Sequence, residues 1–187
     1  MCQLPTHRQT VEQDGFTILE VLVAVSILAI GLMGAALLMS TTYKYSVHSR
    51  YMAEAAQLAS EKLEDLDRFD KNDPSVANGG SLAADTVAGA VPYFDDVQIS
   101  VDNGVISETT STAGVSTSYV QQPGGNITVT QGAGLPAPTP DTLTFDRRWI
   151  IQANTPVAGV RTVTVLVTAT GLALKPQVTF QMSMVRP

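Results

Sequence analysis

The chain has 187 residues, of which 44% are hydrophobic and 15% charged, and its formal charge is −6. Excess acid argues against nucleic acid, which is held mainly by Lys and Arg on phosphates, and a single cysteine excludes an internal disulfide or a cysteine-based zinc cluster. Two histidines, His7 and His48, leave little for a metal centre or a histidine-dependent triad.

In chain order the first element is an apolar run. Residues 21–39 carry Ser26 as their only polar side chain, and Phe16, Ile18 and Leu19 extend the run. At 1.5 Å per residue this predicts a helix able to span a hydrocarbon core of about 30 Å. A cleaved secretory signal fits poorly, because its apolar region is about 7–15 residues long, follows a basic segment and ends in a small-x-small site. Here Glu12 and Asp14 accompany Arg8, and nothing after the run resembles such a site. Arg8 before the run and Lys44 and Arg50 after it leave orientation by positive charge undecided.

Glu20 lies inside this apolar stretch. A lone ionisable side chain there is costly, about 2.5–3.5 kcal/mol at a membrane centre and less near an end. It either reaches the headgroups or awaits a positive partner, and an amine created by chain cleavage near Gly15 would serve.

The segment Gly15-Phe16-Thr17-Ile18-Leu19-Glu20, followed by an apolar helix, resembles the class III signal of type IV pilins and pseudopilins. Continued through Gly34, it is most similar to the PilV-type minor pilins (type IV pilus modification proteins). The resemblance covers about residues 15–39. It implies that a prepilin peptidase cuts between Gly15 and Phe16 and that Phe16 becomes N-methylated. Glu20 would then be the fifth mature residue and the docking group for a neighbouring subunit's amine. Leaders in the family usually carry a basic residue next to the glycine, where this chain has Asp14. The implied partners are other minor pilins, the major pilin, the peptidase and an inner-membrane assembly platform. A single-pass precursor with its head in the periplasm, a later place in a filament, and a part in priming assembly at the tip and in adhesion are also implied. Removal of residues 1–15 takes Cys2 with it, so the 172 remaining residues cannot form the disulfide loop of many major pilins.

Gly31, Gly34 and Ala35 form a small-residue patch in the apolar run. Either glycine is simply tolerated there or helices approach closely, Gly31 and Ala35 being a small-xxx-small pair. Helix-compatible sequence continues beyond Met39, with Met52, Ala55, Ala56, Ala59, Leu63 and Leu66 marking one apolar stripe. Glu64 with Arg68 and Asp67 with Lys71 predict i,i+4 ion pairs. Asn72-Asp73-Pro74 ends the helix near Phe69.

The rest predicts a β-rich head. Alternation at Val97, Ile99 and Val101 leads into a turn at Asp102-Asn103-Gly104. Three further strands follow: 144–153 with Trp149 and Ile151, one with Val163, Val165, Val167 and Ala169, and one with Val178, Phe180, Met182 and Met184. Turns at Pro156–Gly159 and Gly171–Pro176 would join them into a meander packed on the helix stripe. The Ser/Thr-rich stretch 107–118 and the Gly/Pro-rich stretch 121–140 read as surface loops, apart from a short strand at Ile127. The expected fold is therefore α+β: a leader (1–15), a membrane or filament-core helix (16–39), an amphipathic helix half (40–71), a loop-rich region with short strands (72–142) and an antiparallel meander (143–187).

Charge is segregated. Residues 72–146 hold eight acids and no base, while every later charge is basic. Solvated loops are the simpler reading, and matching between neighbouring subunits is the other. The Asp70–Asp73 cluster lacks the glycine and glutamate of a calcium loop, so turn chemistry explains it better. No nucleophile elbow, phosphate loop or dinucleotide motif occurs, and neither catalysis nor a cofactor is expected. A pilus subunit is thus weighed against a type II secretion pseudopilin, and against a membrane-anchored surface adhesin that uses the Ser/Thr-rich loops.

Overall fold

The computed structural model describes residues 15–139, 141–170 and 177–187. Its elements are one long helix, α1 (Ile18–Asp67), and ten strands: β1 (Gly79–Gly80), β2 (Val87–Ala88), β3 (Val91–Pro92), β4 (Phe94–Asp102), β5 (Val105–Thr112), β6 (Val115–Gln121), β7 (Ile127–Ala133), β8 (Leu143–Ala153), β9 (Arg161–Thr170) and β10 (Thr179–Arg186). The chain divides into two units, with the boundary between Tyr45 and Ser46 inside α1. The architecture is α+β and pilin-like, an N-terminal helix packed through its second half against an antiparallel sheet.

In the first unit α1 is apolar on all sides, with a mean hydropathy of 2.7 over its most apolar window and none of that window buried. It is long and apolar enough to cross a membrane. Three of its hydroxyls turn back onto the helix. Ser26 donates to the Leu22 carbonyl at 2.8 Å, and Thr41 and Thr42 donate to that of Leu38 at 2.8 and 2.9 Å. Each of these three is thereby satisfied without a partner outside the helix.

In the second unit the sheet runs β10-β9-β8-β4-β5-β6-β7, with β1 pairing beside β4 on β8, all antiparallel. Tyr51, Ala55, Leu58, Ala59, Leu63 and Leu66 bury one stripe of α1 against Val97, Phe145, Trp149, Val163, Val165 and Val167. Full burial of a side chain such as Leu58 stabilises by about 1.5–3 kcal/mol. The stripe differs from the expected one at its edges. Tyr51 and Leu58 are central, while Met52 and Ala56 are only half-buried. The predicted meander is present as β8, β9 and β10, although Met182 on β10 stays 38% exposed. The turn expected at residues 171–176 lies outside the described residues.

The largest correction concerns residues 107–118. They are not a loop but most of the hairpin β5–β6, which continues β4 and is flanked by β7. Strands rich in Ser and Thr escape a search for apolar alternation because both faces are polar. They are joined instead by cross-strand hydroxyl pairs, Thr109 with Ser118 at 2.8 Å and Ser100 with Ser107 at 2.6 Å. The turn Asn103-Gly104 has positive φ at both residues (49° and 80°), and Ala113-Gly114 repeats this (49° and 86°). Such geometry suits the twist of a two-residue hairpin.

α1 stops at Asp67, two residues earlier than expected, and the Asp67–Lys71 pair is replaced by Asp67 with Arg186 at 2.9 Å. Arg186 also donates to the carbonyls of Leu66 and Phe69 at 2.9 and 3.0 Å. The last turn of α1 contains no base of its own, so the final strand supplies the cation that its C-terminal carbonyls favour. Glu64 and Arg68 pair as predicted, at 3.3 Å. Beyond the helix, Asp70 and Asp73 accept from the backbone N–H of Asn72 and Ser75 at 2.9 and 2.8 Å, the turn role expected of them. The Ser75 bonds hold the Asp73 carboxyl below its usual range.

Candidate functional site: the helix start and the buried ion pair

Gly15, Phe16 and Thr17 precede the first turn of α1, and Phe16 is 81% exposed. Thr17 is the N-cap, its Oγ1 accepting from the backbone N–H of Glu20 at 3.3 Å. Thr17-Ile18-Leu19-Glu20 therefore has the spacing of a capping box, with the cap-to-backbone half of the motif formed. This role of Thr17 was readable from the sequence pattern. It gives Glu20 a local reason to be acidic, since a carboxylate in the first turn complements the helix dipole. The site thus places an exposed glycine–phenylalanine bond just before a capped helix whose third residue is the segment's only acid. An amine released at Phe16 would be a cation at the positive end of that dipole, which favours a carboxylate close by.

Gly31 and Gly34 have open space where a Cβ would stand. Among the described residues no contact explains them, and Ala35 beside them is exposed.

A second polar constellation, in the head, was not read from the sequence. Asp95 on β4 is 1% exposed and Arg147 on β8 is 5% exposed. Arg147 Nε and Nη2 donate to the two carboxylate oxygens of Asp95 at 2.7 and 3.0 Å, and Nη1 donates to the Leu58 carbonyl of α1 at 3.1 Å. Lys62 on α1 donates to Asp95 at 3.0 Å and lies 4.0 Å from the Trp149 ring centroid. The bidentate fork suits guanidinium and carboxylate, and the ammonium over the indole face adds a cation–π contact. Asp95 and Arg147, expected as a solvated acid and a strand-edge base, are in fact the polar centre of the helix–sheet interface. Among the described residues no group of three or more His, Cys, Asp or Glu side chains is placed to hold a metal.

On the opposite face of the sheet Arg148 bridges Asp85, at 2.7 Å, and Asp146. The Asp146 carboxyl is pushed up to about 6, by burial first and then by Asp85, Asp96 and Asp95 against the pull of Arg148. One of its oxygens has no hydrogen-bond partner. Its folded value lies above the unfolded 3.8, so the folded state holds this proton more tightly. The contribution is neutral below about pH 4, becomes steadily less favourable as pH rises from about 4 to about 6, and levels off above that. Asp146→Asn is therefore expected to flatten the decline in melting temperature between pH 4 and 7, leaving the pH 4 value nearly unchanged; thermal melts of both proteins across that range check it.

Compared with known families, residues 12–36 match the model of the prokaryotic N-terminal methylation motif, the class III prepilin signal. No curated protein and no solved structure matches the chain. The motif and the fold support a type IV pilin-like or pseudopilin-like protein, and the apolar helix is consistent with a membrane-anchored precursor and a structural subunit. The motif implies processing by a prepilin peptidase and assembly with other pilus components.

Proposed function

We propose that this chain is a minor pilin of the PilV type, a subunit that primes assembly of a type IV pilus at its tip and modulates adhesion. The observation that carries the reading is the methylation motif at residues 12–36 leading directly into a capped apolar helix with Glu20 in its first turn. In this reading the peptidase cuts after Gly15, Phe16 is methylated, and the stem stays in the inner membrane with the head in the periplasm. The new amine and Glu20 are then complementary. Each is costly alone in an apolar medium, and the two are tolerable as a pair between adjacent subunits. Gly31, Gly34 and Ala35 supply the low ridge along which neighbouring stems, of the major pilin or other minor pilins, approach. The mature chain's lack of cysteine supports a minor rather than a major subunit.

Mass spectrometry of the mature N-terminus, combined with a Glu20→Ala variant, tests this. The expected results are a methylated Phe16 terminus in both proteins, and loss of the variant from sheared pili with normal membrane insertion. An uncut Met1 terminus would overturn the pilin reading. Normal pilus entry by Glu20→Ala would overturn the charge-pairing step alone. Wild-type protein that is processed but never found in sheared pili would mark a pseudopilin of type II secretion instead.

A further inference from the structure

α1 covers only part of its sheet. The register places Ile106 of β5, Tyr119 of β6, and Ile127 and Val129 of β7 on the same face as Val97 and Phe145, the face that α1 packs against. Yet these four side chains are 45%, 50%, 64% and 55% exposed. Scattered apolar residues need no explanation, but a contiguous shelf does. Between the shelf and α1 runs a cleft of about 560 Å³. Lys62 and Arg147 in its lining are paired with Asp95, and Arg68 with Glu64 and Asp65, whereas Glu61 on its α1 side and Glu108 on its sheet side are in no ion pair among the described residues.

The dimensions and charge describe the occupant. Three strands at about 4.8 Å spacing leave room for one more helix beside α1, at the usual 8–10 Å between helix axes. That helix needs an apolar or aromatic contact for the shelf and a cation for the two carboxylates. The chain itself carries such a segment. Between Glu20 and Glu54 it has no acid, and Lys44 and Arg50 are its bases. Tyr43 is 72% exposed, and Arg50, exposed as well, lies seven residues further along the same side of α1. Neither Lys44 nor Arg50 is ion-paired among the described residues.

We infer that the cleft between α1 and β5–β7 receives residues 43–50 of α1 from a second copy of this chain, with Tyr43 on the Ile106–Tyr119–Val129 shelf and Arg50 between Glu61 and Glu108. Burial first, and then Glu61 against the pull of Arg147, raise the Glu108 carboxyl above its usual range, and the positive charge of an arriving guanidinium opposes that rise. The contact rests on the subunit reading above, which brings stems together side by side; it adds a second copy of this chain to the neighbours named there and a head-to-helix register that the stem does not specify.

Cysteine cross-linking in the full-length chain tests it. In a Cys2→Ser background, one tagged copy carries Thr117→Cys on the cleft floor and a second, differently tagged copy carries Ser46→Cys on the exposed side of α1. Oxidation in membranes is expected to give a mixed disulfide between the two tags. It should be absent when Gln181→Cys, exposed on the opposite sheet face, replaces Thr117→Cys. It should be lost in Glu61→Lys/Glu108→Lys and recovered when the partner carries Arg50→Glu. No mixed band, an equal band from Gln181→Cys, or indifference to the charge reversal would overturn the inference. A Thr117→Cys adduct with a different protein in place of the second copy would overturn it too, and would assign the cleft to a heterologous subunit. N-terminal masses of the same bands keep the two readings separate. A Phe16 terminus without the cross-link removes only the cleft contact, and the cross-link on an uncut chain removes only the pilus assignment.

Discussion

Arg147→Ala is expected to destabilise the head by up to about 3–5 kcal/mol, because it removes the bidentate guanidinium from the Asp95 carboxylate in an almost fully buried site. It also releases the Leu58 carbonyl from its tertiary bond and leaves Lys62 as the remaining cation at Asp95. For a domain of this size the melting temperature should fall by on the order of 10 °C. The chain has a single tryptophan, Trp149, which lies under the Lys62 ammonium, so its fluorescence reports the unfolding directly. Buried pairs cost desolvation as well as gaining Coulomb energy, and the double variant Asp95→Leu/Arg147→Met is expected to be more stable than either single change. If Arg147→Ala melts within a degree or two of the wild type, the pair is not what fixes the helix on the sheet.

The second large effect is expected at Gly80. Its φ of +91° disfavours any side chain, and a Cβ there would stand 2.2 Å from the Trp149 carbonyl oxygen and 2.9 Å from the Tyr93 ring. β1 exists only as the Gly79–Gly80 pairing with Ile150 and Ile151, and it closes the sheet beyond the end of β4. Gly80→Ala must push β1 off β8, at an expected cost of about 2–4 kcal/mol. Gly89 is the matched control: its φ is also positive, at 65°, but a Cβ would meet nothing within 4 Å. Gly89→Ala should cost only about 1 kcal/mol, for the backbone conformation alone. Equal melting temperatures for the two variants would show that the close approach at Gly80 contributes nothing.

The legibility of the sequence tracked how much each element depends on its own residues. The stem was plain because apolarity all round a helix needs no partner to be recognised. β8 and β9 were legible because burial on one face imposes period-2 alternation, as at Phe145, Trp149 and Ile151. The methylation motif was also legible, since its pattern, here Gly15, Phe16 and Glu20, lies within six positions and needs no partner distant in the chain. The hairpin β5–β6 was not, because Ser and Thr on both faces erase the alternation and only neighbouring strands make such a segment a strand. The charge segregation was visible but misleading. Arg147 and Asp95 lie 52 residues apart, and nothing local distinguishes them from Arg148 or Asp96.

The sequence by itself determined a methylation-type signal, an apolar stem, an α+β head and a single cysteine, at position 2, because each rests on residue type and short-range order. Only the tertiary structure decided which charges are buried, which arginine terminates α1, and how much of the sheet α1 leaves uncovered. Those depend on register between elements distant in the chain. One residue of slip along β8 would turn Arg147 away from Asp95 and bring its neighbours to that face.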